Sequence, residues 1–452
     1  MTDFKNKTCA VVGLGISNTP LIDFLLQQGA QITARDKKEF DLLPDAVKAY
    51  REKGVSFRCG EGYLEELTED VIFRSPGLRY DLPAFQTAVS RGAVLTSEMQ
   101  VFFELCPCPI LGVTGSDGKT TTTTLIHHAL AAQYGEDHVF LGGNIGAPLL
   151  PRLPLMKPDC FAVVELSSFQ LHTMTRSPDR AVITNLSPNH LDYHRGMEEY
   201  VDAKKNIYRH QKPGSLLVLN GRQELSAELV KELAPGCRVT TFAGRQGGKS
   251  VYEKEGAVYR GNEKVLSVSD IKLPGHHNVE NYMAAIAMLD GLVRDEVIVD
   301  LAKTFGGVEH RLELIRVKDG VRYFNSSIDS SPSRTAAALS SFTEKVIVIC
   351  GGYDKKIPFA PLAESLCEHA STVVLTGATA DAIEKALLSH PAYREGAPRI
   401  LRESRFDDAV KAASDAAKPG DTVILSPACA SFDAFKNFEE RGNRFRALVQ
   451  GL

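Results

Sequence analysis

No apolar run in this 452-residue chain approaches the roughly 20 residues that a membrane-spanning helix needs. The opening Met1-Thr2-Asp3-Phe4-Lys5-Asn6-Lys7 also lacks the charged-then-apolar pattern of a secretory leader and runs straight into a strand pattern. The expected location is therefore the cytoplasm. Positive charge is not in surplus: a net charge of −4 argues against a large nucleic-acid footprint. Internal repeats and low-complexity tracts are missing. Cysteines are few and scattered, at Cys9, Cys59, Cys106, Cys108, Cys160, Cys237, Cys350, Cys367 and Cys429. Their odd number and their setting in strand-like runs suit buried reduced thiols, not a disulfide framework. Cys106-Pro107-Cys108 is too isolated a pair for a zinc site.

What is present is ordinary globular composition, 43% hydrophobic and 24% charged. The length exceeds what one core supports and suggests about three domains of ~150 residues. Three strand-then-glycine signals agree with that number: Thr8 to Asn18, Ile110 to Gly118, and Lys345 to Gly352. Each opens a stretch in which short β-branched runs alternate with helical segments, the pattern of parallel sheets with crossover helices. Thr372–Leu375 and Thr422–Leu425 read as further buried strands. Boundaries are expected near residues 97 and 307, with Cys106-Pro107-Cys108-Pro109 as a linker. Between Cys237 and Ile271, four short strands split by glycine-containing turns predict a small antiparallel excursion.

The most informative stretch is Thr114-Gly115-Ser116-Asp117-Gly118-Lys119-Thr120-Thr121, between the apolar run Ile110–Val113 and a helix-compatible segment, Thr122–Ala132. Strand, glycine loop and helix N-terminus together make a cradle for a triphosphate: backbone N–H groups face the anion and the helix adds partial positive charge. Lys119 can reach the β- and γ-phosphates, and the Thr120 hydroxyl can hold Mg²⁺. Val113 stands where the strict pattern has its first glycine, so this loop is a shorter variant. Phe161–Val164 is a buried strand pattern ending in Glu165, and Ala181–Asn185 leads to Ser187-Pro188-Asn189-His190-Leu191-Asp192. Ligands of open parallel sheets bind beyond the carboxyl ends of strands, so Glu165 and His190 are expected beside the phosphate loop. At the N-terminus, Gly13-x-Gly15-x-x-Asn18 with Asp36 some twenty residues on approaches a dinucleotide fingerprint but lacks the third glycine.

These motifs, in this order, resemble the Mur ligase family. The resemblance covers essentially the whole chain. It rests on the phosphate loop and on Gly142-Gly143-Asn144-Ile145-Gly146, Glu165 to Gln170, Asn185 to Asp192, Tyr200-x-x-Ala203-Lys204, Leu273-Pro274-Gly275-x-His277-Asn278 and His310-Arg311. Ser426 to Gly442 is similar to the D-glutamate-adding branch, and the Asp-Asn-Pro-Arg signature of the diaminopimelate-adding relative is absent. The implied fold is α/β with three domains: a Rossmann-like UDP-substrate domain over 1–97, a central P-loop-type ATPase domain over 98–307, and a Rossmann-like amino-acid domain over 308–452. The implied reaction joins D-glutamate to UDP-N-acetylmuramoyl-L-alanine through an acyl phosphate, with ATP and two Mg²⁺ ions, in a monomer.

Carried over by the resemblance, Gly115, Gly118, Lys119, Thr120 and Thr121, with the rest of the loop, hold ATP and its Mg²⁺. Glu165 and His190 hold metal, and Asn144 contacts substrate near the acyl phosphate. Lys204 matches a lysine that is carbamylated in the family and organises the second Mg²⁺; carbamylation turns a repelling cation into an oxygen anion. Asn278, Asn281 and Arg311 match nucleotide contacts. Ile16, Ser17, Asp36, Lys37 and Ser75 match the UDP-sugar site, and Ser330, Lys355, Ser431, Phe432 and Phe438 the D-glutamate site. One departure stands out. Asn325-Ser326-Ser327-Ile328-Asp329-Ser330 replaces a common Asn-Asp-Ser-Lys-Ala-Thr, which removes an acid at Ser326 and adds one at Asp329. A relative using another amino acid, an oxidoreductase built on the N-terminal fingerprint, and a nucleotide-binding regulator are the competing expectations.

Overall fold

A computed structural model describes residues 4–15, 17–188, 190, 193–244, 250–354 and 357–452. The chain divides into two compact units, one of Met1–Val268 with Val279–Leu301, the other of Ser269–Asn278 with Ala302–Leu452. Among the described residues the strands form three sheets.

The first sheet contains β1 (Thr8–Val12), β2 (Gln31–Asp36), β3 (Ser56–Cys59), β4 (Val71–Arg74) and β5 (Val94–Thr96), in the order β3-β2-β1-β4-β5. All its pairings are parallel. The strand order reverses between β1 and β4, the crevice where such sheets bind ligands. Gly13 follows β1 there at φ 85°, and a side chain on it would come within 2.7 Å of the Ser75 Cβ that follows β4. The missing third glycine of the fingerprint is explained by Asn18. Its buried side-chain amide donates to the Val12 and Gly13 carbonyls at 3.1 and 3.0 Å, closing the turn by hydrogen bonding.

The second sheet holds β6 (Ile110–Thr114), β7 (Val139–Gly143), β8 (Phe161–Glu165), β9 (Arg180–Ile183), β10 (Leu216–Asn220), β11 (Arg238–Phe242), β12 (Val251–Lys254), β13 (Ala257–Arg260) and β14 (Glu263–Ser267). Its order is β14-β13-β12-β11-β10-β9-β6-β8-β7. The expected antiparallel excursion needs one correction. β11 pairs with β10 in parallel and extends the main sheet, and β12 joins β11 through a parallel Phe242–Val251 pair. Only β12, β13 and β14 run antiparallel, each joined by a short glycine-containing turn.

Helix Lys119–Tyr134 begins at the glycine loop, earlier than its sequence pattern predicts. Its run Thr120–Thr124 is β-branched and intrinsically poor helix former. Tertiary packing overrides that preference. Thr122, Thr123, Leu125, Ile126, Ala129 and Leu130 are buried, and the Thr123 and Thr124 hydroxyls donate back to the Lys119 and Thr120 carbonyls at 2.8 Å each.

The third sheet contains β15 (Glu313–Lys318), β16 (Val321–Asn325), β17 (Val346–Cys350), β18 (Ala370–Leu375), β19 (Arg399–Arg402) and β20 (Thr422–Leu425), in the order β15-β16-β20-β17-β18-β19. Only β15 is antiparallel. The loops after β16, β20 and β17 therefore open at one edge. Apolar clusters lie on both faces of this sheet, around Val348, Leu366 and Leu375 on one and around Ile349, Val423 and Phe445 on the other. All nine cysteines are free thiols, as expected. No described helix is long and apolar enough to cross a membrane.

Candidate active site

β6 lies between β8 and β9, with Val113 opposite Glu165 and Thr114 opposite Ile183. That register brings three strand ends together: the glycine loop, Glu165, and the segment leading to His190. The loop is held from beneath by Asn185, whose carbonyl and Oδ1 accept from the Ser116 N–H and whose Oδ1 also accepts from Asp117 N–H at 2.8 Å. Thr184 Oγ1 donates to the Asp117 carbonyl at 2.6 Å. A side chain on Gly115, at φ 151°, would meet that same Oγ1 at 1.8 Å, so only glycine fits. Lys119 Nζ folds back on the loop and donates to the Ser116 carbonyl at 2.8 Å. Thr120 is buried and Thr121 half-buried, at the start of the helix. Asn281 lies against Gly118 and accepts from Thr122 Oγ1 at 3.3 Å.

Glu165 is almost fully buried. Its Oε1 accepts from Asn144 Nδ2 at 2.7 Å, and the Asn144 N–H donates to the Glu165 carbonyl at 2.8 Å. Its Oε2 is buried without a hydrogen-bond partner. A buried carboxylate oxygen left unpaired is costly, and a cation is a natural ligand for it. Lys204, on helix Met197–Lys205, is 2% exposed. Its Nζ donates to the Gly115 carbonyl at 2.8 Å and to Thr114 Oγ1 at 3.1 Å, over the Tyr200 ring. Burial, then the nearby Lys119 charge, hold its amine well below the usual lysine range, against the opposing pull of Glu165 and Asp117. His190, at φ 54°, is exposed and packs edge-on against Phe169, with ring centroids 4.9 Å apart. Asn189, Leu191 and Asp192 lie outside the described residues.

At the first sheet, Asp36 ends β2, and its Oδ2 accepts from Leu14 N–H at 2.7 Å. Ser17 precedes helix Asn18–Gln27, Lys37 is exposed, and Ser75 hydrogen-bonds from its N–H to the Val12 carbonyl. Ile16 lies outside the described residues, as does Lys355.

In the second unit, Ser330 follows β16 and Ser431 follows β20; Ser431 is buried and Phe432 is 63% exposed. Phe438 packs edge-on against His310. Asn278 is buried and donates to the Pro274 carbonyl at 2.6 Å, and Arg311 follows His310. Asp329 is buried and accepts from Ser426 Oγ at 2.8 Å. Burial pushes its carboxyl up to about 6.

Two residues inside the quoted motifs, given no role from the sequence, are built into these sites. Tyr200 OH lies 2.8 Å from Ser116 Oγ inside the loop. Arg441 is 2% exposed and joins the loops after β16 and β20, through Ser327 Oγ at 3.0 Å, the Ser327 carbonyl at 2.8 Å and the Ala430 carbonyl at 3.0 Å. Its place in the Ser426–Gly442 motif gives no hint of this burial, since arginine is rarely so buried unless paired.

Family models match three stretches of the chain. A Mur ligase MurD-like N-terminal domain matches residues 7–97, a Mur ligase middle domain 113–289, and a Mur ligase glutamate ligase domain 310–429. A UDP-N-acetylmuramoylalanine–D-glutamate ligase of Acetivibrio thermocellus is 49% identical over 461 residues, spanning 99% of this chain and 97% of the relative. The chain belongs to the Mur ligase family. A relative of the same name from Clostridium novyi is 46% identical, over 99% of this chain and 97% of its own. Among solved structures, the UDP-N-acetylmuramate–alanine ligase MurC of Thermotoga maritima superposes with a TM-score of 0.58 at 20% identity, covering 98% of this chain and 99% of that one, a likeness of fold. Mur ligases are ATP-dependent amide-forming enzymes of peptidoglycan precursor synthesis, and this chain is one of them. The three-domain α/β fold expected from the sequence is that of the family.

Proposed function

We propose that this Mur ligase joins the amine of D-glutamate to the carboxyl group of UDP-N-acetylmuramoyl-L-alanine. The observation that carries the reading is near-full-length identity of 49% with a relative named for that reaction. The domain boundaries we propose are 1–97 for the UDP-sugar, 98–307 for ATP and 308–452 for the amino acid, in a protein acting in the cytoplasm as a monomer.

A carboxylate resists amine attack. Transfer of the ATP γ-phosphoryl group makes an acyl phosphate, the amine attacks its carbonyl, and the tetrahedral intermediate collapses to amide and phosphate. Both steps concentrate negative charge, so preorganised cationic groups lower both barriers. In this reading the N–H groups of Gly115 to Thr121 and the Lys119 ammonium bind the phosphates, while Asn144 orients the reacting carboxylate. Glu165, His190 and the Thr120 hydroxyl are the residues that would hold Mg²⁺, which supplies charge neutralisation on the phosphoryl oxygens when bound. The unpartnered Glu165 Oε2 supports that assignment. Lys204, buried and shifted toward its neutral amine, is chemically suited to carbamylation, since only the neutral amine attacks CO₂. Ser330, Lys355, Ser431, Phe432 and Phe438 are the proposed D-glutamate contacts. Ile16, Ser17, Asp36, Lys37 and Ser75 are those of the sugar nucleotide, and Asn278, Asn281 and Arg311 those of ATP.

The test is phosphate release from ATP with UDP-N-acetylmuramoyl-L-alanine and D-glutamate, L-glutamate or no amino acid. Release with D-glutamate alone is expected. Release with another amino acid, or none at all, overturns the substrate assignment.

A further inference from the structure

Within the first unit, a cluster of charged side chains joins the segment after β4 to the segment that follows His190. Arg79 is its centre. Its Nε and Nη2 donate to Asp81 at 2.8 and 2.9 Å, its Nη2 donates to Glu199 Oε1 at 2.8 Å, and its Nη1 donates to the Tyr193 carbonyl. Glu199 opens helix Met197–Lys205, and its Oε2 accepts from the Arg195 N–H. On its N-terminal side this segment is bonded to His190: the Tyr193 and His194 N–H groups donate to the His190 carbonyl at 3.1 and 3.0 Å. One guanidinium thus fixes the backbone three residues beyond His190 and the helix that ends near Lys204.

A second arginine holds the opposite side. Arg74 is 1% exposed and donates to the Leu78 carbonyl at 2.7 Å and to the Phe169 carbonyl at 3.2 Å. The Phe169 ring is the one packed against His190. The same neighbourhood offers a triad of ligand atoms, from His172, His194 and Glu199, within 4.8 Å of one another. Both Glu199 oxygens already accept hydrogen bonds, and two guanidiniums stand close by. An added divalent cation would have to displace the Arg79 and Arg195 N–H bonds to Glu199 and sit beside guanidinium charge, so the arrangement suits a clasp and not a cation site.

We propose that Arg79 and Glu199 are a positioning pair for the reaction: they hold the Tyr193–Arg195 backbone, bonded to the His190 carbonyl, in register with the segment that carries Ser75, and neither touches a reacting atom. This rests on the role proposed above for His190. The planar fork of arginine satisfies Asp81, Tyr193 and Glu199 together, which a lysine ammonium does not. Small displacements of a positioned group cost rate more than affinity.

The experiment uses the full chain with Arg79→Ala, Arg79→Lys and Glu199→Gln. In the free protein, amide hydrogen exchange at Tyr193–Arg195 is expected to rise about tenfold in Arg79→Ala, with the Gly115–Thr121 amides unchanged. In steady-state turnover, kcat per folded molecule is expected to fall by about ten- to hundredfold while the KM for ATP stays within about threefold. Arg79→Lys is expected to restore only part of kcat. A kcat within about twofold of wild type in Arg79→Ala, or unaltered exchange at Tyr193–Arg195, overturns the proposal. If Arg79→Ala does not fold, Glu199→Gln, which keeps the side-chain volume, decides it in the same two assays. If wild type consumes no ATP, the reaction reading fails, and hydrogen exchange alone still decides the clasp.

Discussion

Lys204 Nζ donates to the carbonyl of Gly115 at 2.8 Å, so a buried amine on one helix touches the backbone of the phosphate loop. Burial holds this amine well below the usual lysine range. It should therefore carry a substantial neutral fraction at a pH where a surface lysine is protonated. With ¹³C-bicarbonate, a carbamate resonance is expected in wild type and absent in Lys204→Arg. The same variant should lose about 10²-fold in kcat, comparable to losing one preorganised electrostatic group. Full activity in Lys204→Arg, or no carbamate signal, refutes the assignment.

Gly115→Ala is expected to abolish nucleotide binding while leaving a folded chain. The added methyl would meet Thr184 Oγ1, and the backbone sits at φ 151°. Strain of this kind costs on the order of 1–3 kcal/mol, which a domain survives but a closely fitted loop does not. Calorimetric titration with ADP checks binding, and the melting temperature checks the fold. Unchanged ADP affinity counts against the loop as the phosphate site.

Glu165→Gln keeps the acceptor for Asn144 and removes the charge. The Mg²⁺ concentration for half-maximal turnover should rise by about ten- to hundredfold. An unaltered Mg²⁺ dependence means that the unpartnered oxygen does not serve a cation.

Asp329 gives a pH-dependent prediction. Its carboxyl is pushed up from 3.8 to about 6 in the fold, by burial first. Well below its unfolded value of 3.8 it is protonated folded or unfolded and contributes nothing. As pH rises through 6 the unfolded chain has already released the proton, so the fold is penalised by about 2–3 kcal/mol. Asp329→Asn should therefore be more stable than wild type at pH 8, with most of the advantage gone by about pH 4. Urea unfolding at both pH values measures it. Asp329→Ala with unchanged KM for ATP and for D-glutamate would show that this carboxyl, new where Ser326 lacks one, has no part in binding.

The phosphate loop, the strand before it and the parallel character of the three sheets are legible in the sequence because they are local. Glycine spacing, β-branched runs and helix starts depend on neighbours a few residues away. The antiparallel share of the second sheet is smaller than the sequence pattern implies, because short strands split by glycine turns look alike whether the next partner is parallel or antiparallel. The parallel pairing of β11 with β10 depends on a connection that periodicity does not encode.

By itself the sequence determined the fold class, the family and the chemical types present: a triphosphate cradle, a carboxylate at a strand end, and a lysine on a helix. Tertiary structure alone decided which of these groups meet. Register across β6, β8 and β9 sets Glu165 beside the loop, packing of helix Met197–Lys205 brings Lys204 onto it, and burial there lowers the lysine's affinity for its proton. The Arg74, Arg79 and Arg441 contacts belong to that second class. A guanidinium is polar by composition, and only long-range packing reveals that it has left water to bind carbonyls and carboxylates.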